Sequence, residues 1–524
     1  MRPAPSPSSA ATTAAPADGV AASDPAAAGR LPLLVLFLGA AAWLLVSSVF
    51  ALLASLRFHS PNFLADAAWL TYGRLRPAAD SALLYGCCVP AGLGLTLWLL
   101  ARLGRTGLAQ TWLGTLGAAV WNLAVLLGTG GILAGDQTGF TDLPLPRYAT
   151  PLLLLGYLLL ASWAALIFHQ RRERQLYVSQ WFLFAALFWF AWILSTAQLL
   201  LITFPVRGVV QSVVAWWYGN NLRQVWLWLV GLAVVFYLLP KLARSRFHSR
   251  YLALLAFWMI ILFGSWGGIP ATAPVPAWMP VLSSIGTVLT VIPLLAVALS
   301  VWGTLTGPDH GTPEIQTTKT PPSNELRTFG SRNSDFLRTS NFEFRISDPV
   351  ALGFLLLGVL LFLKAGLLRI LGAFLAVGRF TDLSWFTAAR EQLNAYGFFV
   401  IVSFGAIYWL LPRLLGLEFK RPGLIRAHFW LAAAGLPLAV IPLGLAGLVQ
   451  GLRLQDPNIP FLDVTRATLP FLRASTLGDL LLVLANALFL LNLAGLVLRF
   501  CRARAASFCA TATADLFQPA EVKP

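Results

Sequence analysis

An all-α, polytopic membrane bundle of about twelve transmembrane helices is the fold class this sequence predicts, and three observations predict it. Of 524 residues, 58% are hydrophobic and only 11% charged, with a mean hydropathy of +0.73. A soluble chain of this length carries far more charge and a clear amphipathic period. Apolar runs of roughly 18 residues or more recur along almost the whole chain, each long enough to cross a ~30 Å hydrocarbon layer. Short loops holding most of the basic residues separate them, and with no water in the bilayer core helices satisfy these backbones most economically.

Residues 1–30 are rich in Ala, Pro, Ser and Thr and contain no apolar signal core, so they are expected to form a disordered cytoplasmic tail. The first eight spans are placed within 31–302, at 31–56, 79–101, 111–134, 150–168, 178–203, 222–240, 251–268 and 277–302. A polar stretch over 303–349 holds the near-repeat SDFLRTSNFEFRIS. It is read as a flexible cytoplasmic insertion, with docking of a partner through its repeated Phe as the alternative. The last four spans fall within 350–499, at 350–376, 393–412, 425–449 and 477–499, and 500–524 forms a C-terminal cytoplasmic tail.

Loops after even-numbered spans carry Arg102 and Arg105; Arg171, Arg172 and Arg174; Lys241, Arg244, Arg246 and Arg250; and Arg413, Lys420 and Arg421. The loop at 269–276 carries none. Lys and Arg gather on the cytoplasmic side, so both termini are expected there. Trp216, Trp217, Tyr218, Trp278 and Trp385 fall near span ends, where interfacial aromatics belong. The net charge of +16 follows from these topology-setting loops, and no nucleic-acid partner is expected. Of the four cysteines, Cys87 and Cys88 lie inside an apolar run and read as inert buried thiols, while Cys501 and Cys509 follow the last span. Neither a zinc-knuckle nor a c-type haem attachment spacing is present.

From GRLRP at 73–77 onward, landmarks accumulate: YVSQWFLF at 177–184, VVAWWYGNNL at 213–222, VVFYLLPKL at 234–242, FW at 257–258, SWGGI at 265–269 and PVPAW at 274–278. FGAIYWLLPRL at 404–414, LVQGLR at 448–453 and LPFLR at 469–473 complete the series. In order and spacing, over roughly 57–499, this resembles the catalytic subunit I of the C-family (cytochrome cbb-type) haem–copper oxidases, related to the nitric oxide reductase large subunit. The resemblance implies a twelve-helix bundle with two haems and one copper, in a respiratory electron-transport complex with other membrane-anchored subunits, c-type cytochromes among them.

The same resemblance locates the ligands, and this chain departs at every one. Ala79 stands where a low-spin haem ligand is implied, and Arg390 and Gln392 where the other two haem ligands are. Asn220, Pro270 and Ala271 stand at the three copper-ligand positions, and Gly264 at the position of the cross-linked tyrosine. Haem iron and copper need strong axial donors, usually imidazole. The chain has five histidines, His59, His169, His248, His310 and His428, which the topology puts in loops or at span ends, unable to converge in the bundle. Met259 and Met279 are single weak donors and read as packing. The chain is therefore expected to be a divergent member without haem or copper ligands: no catalytic, cofactor-binding or metal site, no cofactor.

Five charges remain as candidate interior or interface groups: Arg74, Arg76, Lys364, Arg369 and Arg473. Arg74 and Arg76 are expected to meet lipid phosphates, bundle salt bridges or a neighbouring subunit. Lys364, near the middle of its span, is expected to reach polar groups in the vacated cofactor volume, and Arg369 to snorkel toward the outer face. Voids of haem size are destabilising, so large apolar side chains, Trp226, Trp228, Phe398 and Phe399 among them, are expected to fill them. Three functions stay open: a non-catalytic structural, assembly or regulatory subunit of a respiratory-type complex; an active terminal oxidase or nitric oxide reductase subunit using atypical ligands; and transport on the same scaffold.

Overall fold

The computed structural model describes residues 29–307 and 349–516, so the expected N-terminal tail and most of the insertion at 303–349 lie outside the described residues. Among the described residues eleven helices are long and apolar enough to cross a membrane: α1 Arg30–His59, α2 Tyr72–Gly104, α3 Thr111–Ala134, α4 Ala149–His169, α5 Val178–Thr203, α6 Val209–Leu242, α8 Trp278–Thr306, α9 Pro349–Gly372, α10 Trp385–Leu415, α11 Pro422–Leu454 and α12, whose apolar length is Phe461–Ser507 and which runs on as helix to Leu516. The element between α6 and α8 is a shorter apolar helix, α7 Arg250–Gly264. The order of the twelve expected spans is kept, with the seventh cut short. The reason is local: SWGGIPATAP follows, and its glycines and prolines stop the helix, with Gly268 at a positive φ of 106°.

Helices α2, α6 and α10 are buried along most of their length and form the inner layer, and the others surround them. Their sequences say why. Each is apolar on every side, whereas an outer helix such as α9 sets small and aromatic residues (Phe354, Gly358, Phe362, Ala365) on its packed face and Leu360, Leu367 and Leu371 on the exposed one. Small residues admit the closest approaches. A Cβ on Gly92 of α2 would meet Trp226 of α6 at 2.8 Å and Phe399 of α10 at 3.1 Å.

Each inner helix begins earlier than its apolar run. Helix α2 takes in Arg74, Arg76 and Asp80; α6 takes in Asn220 and Arg223; α10 takes in Arg390, Glu391 and Gln392. Directly after these polar turns each helix widens to π geometry, over Ala82–Cys88, Asn221–Trp226 and Leu393–Val400. Such widening recurs at functional sites. Three polar helix ends thus meet at the end of the bundle opposite Arg30.

Candidate functional site: a buried charge network

Arg223 is the centre of this end. A guanidinium that is 7% exposed must be paired, and its Nε lies 2.5 Å from Asp142 Oδ1, with Glu391 Oε2 at 4.0 Å from Nη2. Asp142 comes from the α3–α4 loop, whose carbonyl at that residue accepts from the Tyr85 hydroxyl at 2.5 Å; Tyr85 in turn shares a 2.7 Å bond with Tyr218. Tyr218, expected at the interface, is 1% exposed and belongs to this interior network.

One turn away, Arg76 Nε holds Asp80 at 3.1 Å and faces Asp479 of α12, which Gln392 also reaches. Arg76, Asp80, Arg223, Glu391, Gln392 and Asp479 line a cavity whose space for water centres is about 50 Å³, enough for a few waters. Ala79 and Tyr396 complete the wall. Arg74 donates to the Leu133 carbonyl at 3.1 Å. Of the anions expected for the two arginines, Arg76 meets a bundle carboxylate.

The other charges depart from expectation. Lys364 is exposed on the flank of α9 and meets no polar partner among the described residues, so it does not enter the interior. Arg369, expected to snorkel, is the buried cation: it is 9% exposed, and its Nη2 donates to Asn220 Oδ1. The two residues are five apart, about 140° around the helix, so both cannot share a face. Arg473 is exposed and lies near His59. His428, expected at a span end, is fully buried in a box of Phe354, Phe404 and Phe489, with Nδ1 3.0 Å from the Tyr408 hydroxyl. His59 binds Thr476 at 3.1 Å; His310 lies outside the described residues.

Beyond the cavity the interior is filled by large side chains as expected. Trp226, Trp228, Phe398 and Phe399 are each at most 1% exposed; Trp226 lies tilted against Phe399 with 6.1 Å between centroids, and Phe362 bridges Trp228 and Phe398 with 4.8 Å between centroids on each side. Trp228 Nε1 is satisfied by Asn394 Oδ1 at 2.7 Å, and Asn394 donates to the Arg223 carbonyl at 2.8 Å. Beside Ala79 the expectation of apolar filling does not hold: charged groups occupy that volume. Carboxylates and guanidiniums there neutralise one another, which apolar chains beside Arg223 could not do.

The side chains at the positions where the resemblance implies ligands do not fit two haems and a copper. Ala79, Pro270 and Ala271 offer no side-chain donor. Asn220 spends its amide on the Gly264 carbonyl, at 2.9 Å, and on Arg369. Gln392 faces Asp479, and Arg390 is itself a cation. No three His, Cys, Asp or Glu residues group as metal ligands among the described residues. At the rim, Asp382 faces the Ala271 amide and the Thr272 hydroxyl; burial raises its carboxyl above the ordinary 3.8, and Arg390 offsets part of that rise. This ties the α7–α8 loop to the α9–α10 loop.

Asp142, Asp80, Glu391 and Asp479 were not singled out as site residues from the sequence. The available signal was their position just before long apolar runs, within reach of arginines in the same position on other helices.

Comparison with known proteins agrees with this architecture. The chain is 26% identical over 440 residues to a cytochrome c oxidase subunit 1 homolog of Azorhizobium caulinodans, covering 78% of this chain and 70% of that protein. It is 26% identical over 449 residues to the cbb3-type cytochrome c oxidase subunit CcoN1 of Stutzerimonas stutzeri, covering 81% and 84%. The fold matches a solved haem–copper terminal oxidase dimer with a TM-score of 0.69 at 15% identity, over 89% of this chain and 84% of that one. The profile of the family described as Cytochrome C and Quinol oxidase polypeptide I matches residues 32–481, and the chain is a multi-pass membrane protein belonging to that family.

Proposed function

We propose that this chain is a non-catalytic subunit, structural, assembly or regulatory, of a respiratory-type complex in a bacterial cytoplasmic membrane, with both termini cytoplasmic. One observation carries the reading: the positions at which the family resemblance implies haem and copper ligands hold Ala79, Arg390, Gln392, Asn220, Pro270 and Ala271. Two of these, Gln392 and Asn220, have their side-chain groups engaged with Asp479 and Arg369. An amide oxygen is a weak donor beside imidazole, and Ala79, Pro270 and Ala271 have no side-chain donor at all. Its partners are other membrane-anchored subunits, c-type cytochrome subunits among them, and lipid. Names of the relatives, which are oxidase subunits, support the type of complex.

A second reading, ion transport, draws on Asp80, Glu391 and Asp479, which line the cavity instead of flanking the spans. Against it, Trp226, Phe398 and Phe399 pack the interior farther along the same helices. The deciding experiment isolates the full chain from its native membrane under mild and then stringent detergent. Expected are co-purification with haem-bearing subunits in the first case and no oxygen consumption from reduced cytochrome c in the second. Turnover by the stringently isolated chain defeats the proposal.

A further inference from the structure

Lys364 stands alone on the outward side of α9. It lies fifteen residues after Pro349 and eight before Gly372, with about 22 Å of helix on one side and about 12 Å on the other. From 356 to 371 all remaining residues on that side are leucine, and Leu360, Leu367 and Leu371 are exposed. The bundle meets α9 from the other side, where Gly358 packs on Val402 of α10 and Gly366 on Leu294 of α8. Lys364 itself is exposed, with no hydrogen bond or ion pair among the described residues. In the chain alone this side faces hydrocarbon, where an ammonium is costly. Snorkelling relieves little of that cost. Side chains on a helix lean toward its N-terminus, here toward Pro349, which is the farther end.

We infer that this side of α9 is the docking surface for a transmembrane helix of another subunit, one that carries an Asp or Glu at the depth of Lys364. Charge selects the occupant. A carboxylate beside the ammonium removes the cost that hydrocarbon imposes, and the surrounding leucines pack a helix as readily as lipid. A lipid phosphate belongs at the interface, about 12 Å along the helix from Lys364. A second copy of this chain has no suitable acid to present. In the described spanning helices Asp80, Glu391 and Asp479 line the interior cavity, and Asp463 pairs with Arg466 at the start of α12. The surface deepens the proposed function and rests on it: its membrane-anchored partners gain a side of the bundle and a charge that recognises it.

The test places p-benzoylphenylalanine at position 360 or 367 of the full chain in its native membrane, illuminates it, and maps the cross-linked peptide by mass spectrometry. Expected is a transmembrane segment of another subunit with an Asp or Glu within one helical turn of the cross-linked depth. Co-isolation of that subunit in mild detergent is expected to fall about tenfold in Lys364→Leu and further in Lys364→Glu, and to hold in Lys364→Arg. It is expected to return when Lys364→Glu is combined with a change of the partner's acid to Lys. Cross-links only to lipid or to a second copy, a partner segment without a carboxylate, or unchanged co-isolation in Lys364→Leu overturns the inference. Should that variant fail to fold, the cross-link map of the Lys364 chain decides alone. Wild-type chain that brings down no membrane subunit defeats the proposed partners and this surface with them. Subunits that come down but cross-link elsewhere overturn this surface only, so the two failures are distinguishable.

Discussion

Substituting Gly219 by Ala separates the electrostatic explanation of this end of the bundle from a packing one. A Cβ at Gly219 would lie 1.9 Å from Asp142 Oδ2, whereas ordinary contact begins at 3.4 Å. The carboxylate must therefore retreat by about 1.5 Å, which stretches the 2.5 Å bond to Arg223 beyond hydrogen-bonding range. Removing the carboxylate outright, as in Asp142→Ala, leaves a guanidinium 7% exposed without its closest partner and is expected to cost about 3–5 kcal/mol. Gly219→Ala is expected to cost at least half as much in the wild-type background. In the Asp142→Ala background the carboxylate clash is gone and only the Cβ of residue 142 stays close, at 3.2 Å, so Gly→Ala inside a helix is then expected to lie within about 1 kcal/mol of neutral. The assay is reversible denaturation of the detergent-solubilised chain in increasing SDS, on all four members of the cycle. Equal cost of Gly219→Ala in both backgrounds, or no cost in the wild type, refutes the reasoning.

Other substitutions test separate parts. Trp228→Phe keeps the ring but strands the Asn394 oxygen, and is expected to cost about 1–3 kcal/mol in the same assay. Phe399→Ala opens a cavity between α2, α6 and α10 and is expected to cost about 3–5 kcal/mol. Lys364→Leu removes a lipid-facing cation and should leave stability unchanged or raise it, while Arg369→Leu should lower it; the reverse order contradicts their placement. Asp382 gives a pH signature. Its folded pKa is raised, so the folded state holds the proton more tightly and stability falls as pH rises from the ordinary 3.8 through the raised value. Thermal midpoints of the wild type should decline over that window, and those of Asp382→Asn should decline less.

Legibility followed the physics of each residue. The apolar runs announced the helices, because only a helix satisfies a backbone in lipid. They set the helix starts too late, because Arg76, Asp80, Arg223, Glu391 and Asp479 read as loop polarity until other helices supply their partners. Pairing between α2, α6, α10 and α12 is a long-range property that no local window contains. The exchange of Lys364 and Arg369 was legible in principle: Arg369 shares its face with Phe362, Ala365 and Gly366, the small and aromatic surface of a packed helix, and Lys364 with leucines exposed to lipid. The short α7 was announced by SWGGIPATAP, where apolar content outweighed the helix-stopping residues.

Loss of metal chemistry is the central claim, and a dithionite-reduced minus oxidised optical spectrum of the purified chain, with iron and copper analysis of the same sample, tests it most directly. The predicted result is no haem α-band and no stoichiometric iron or copper. A haem b signal near two per chain would contradict it, and would mean that donors other than Ala79, Arg390 and Gln392 hold the iron.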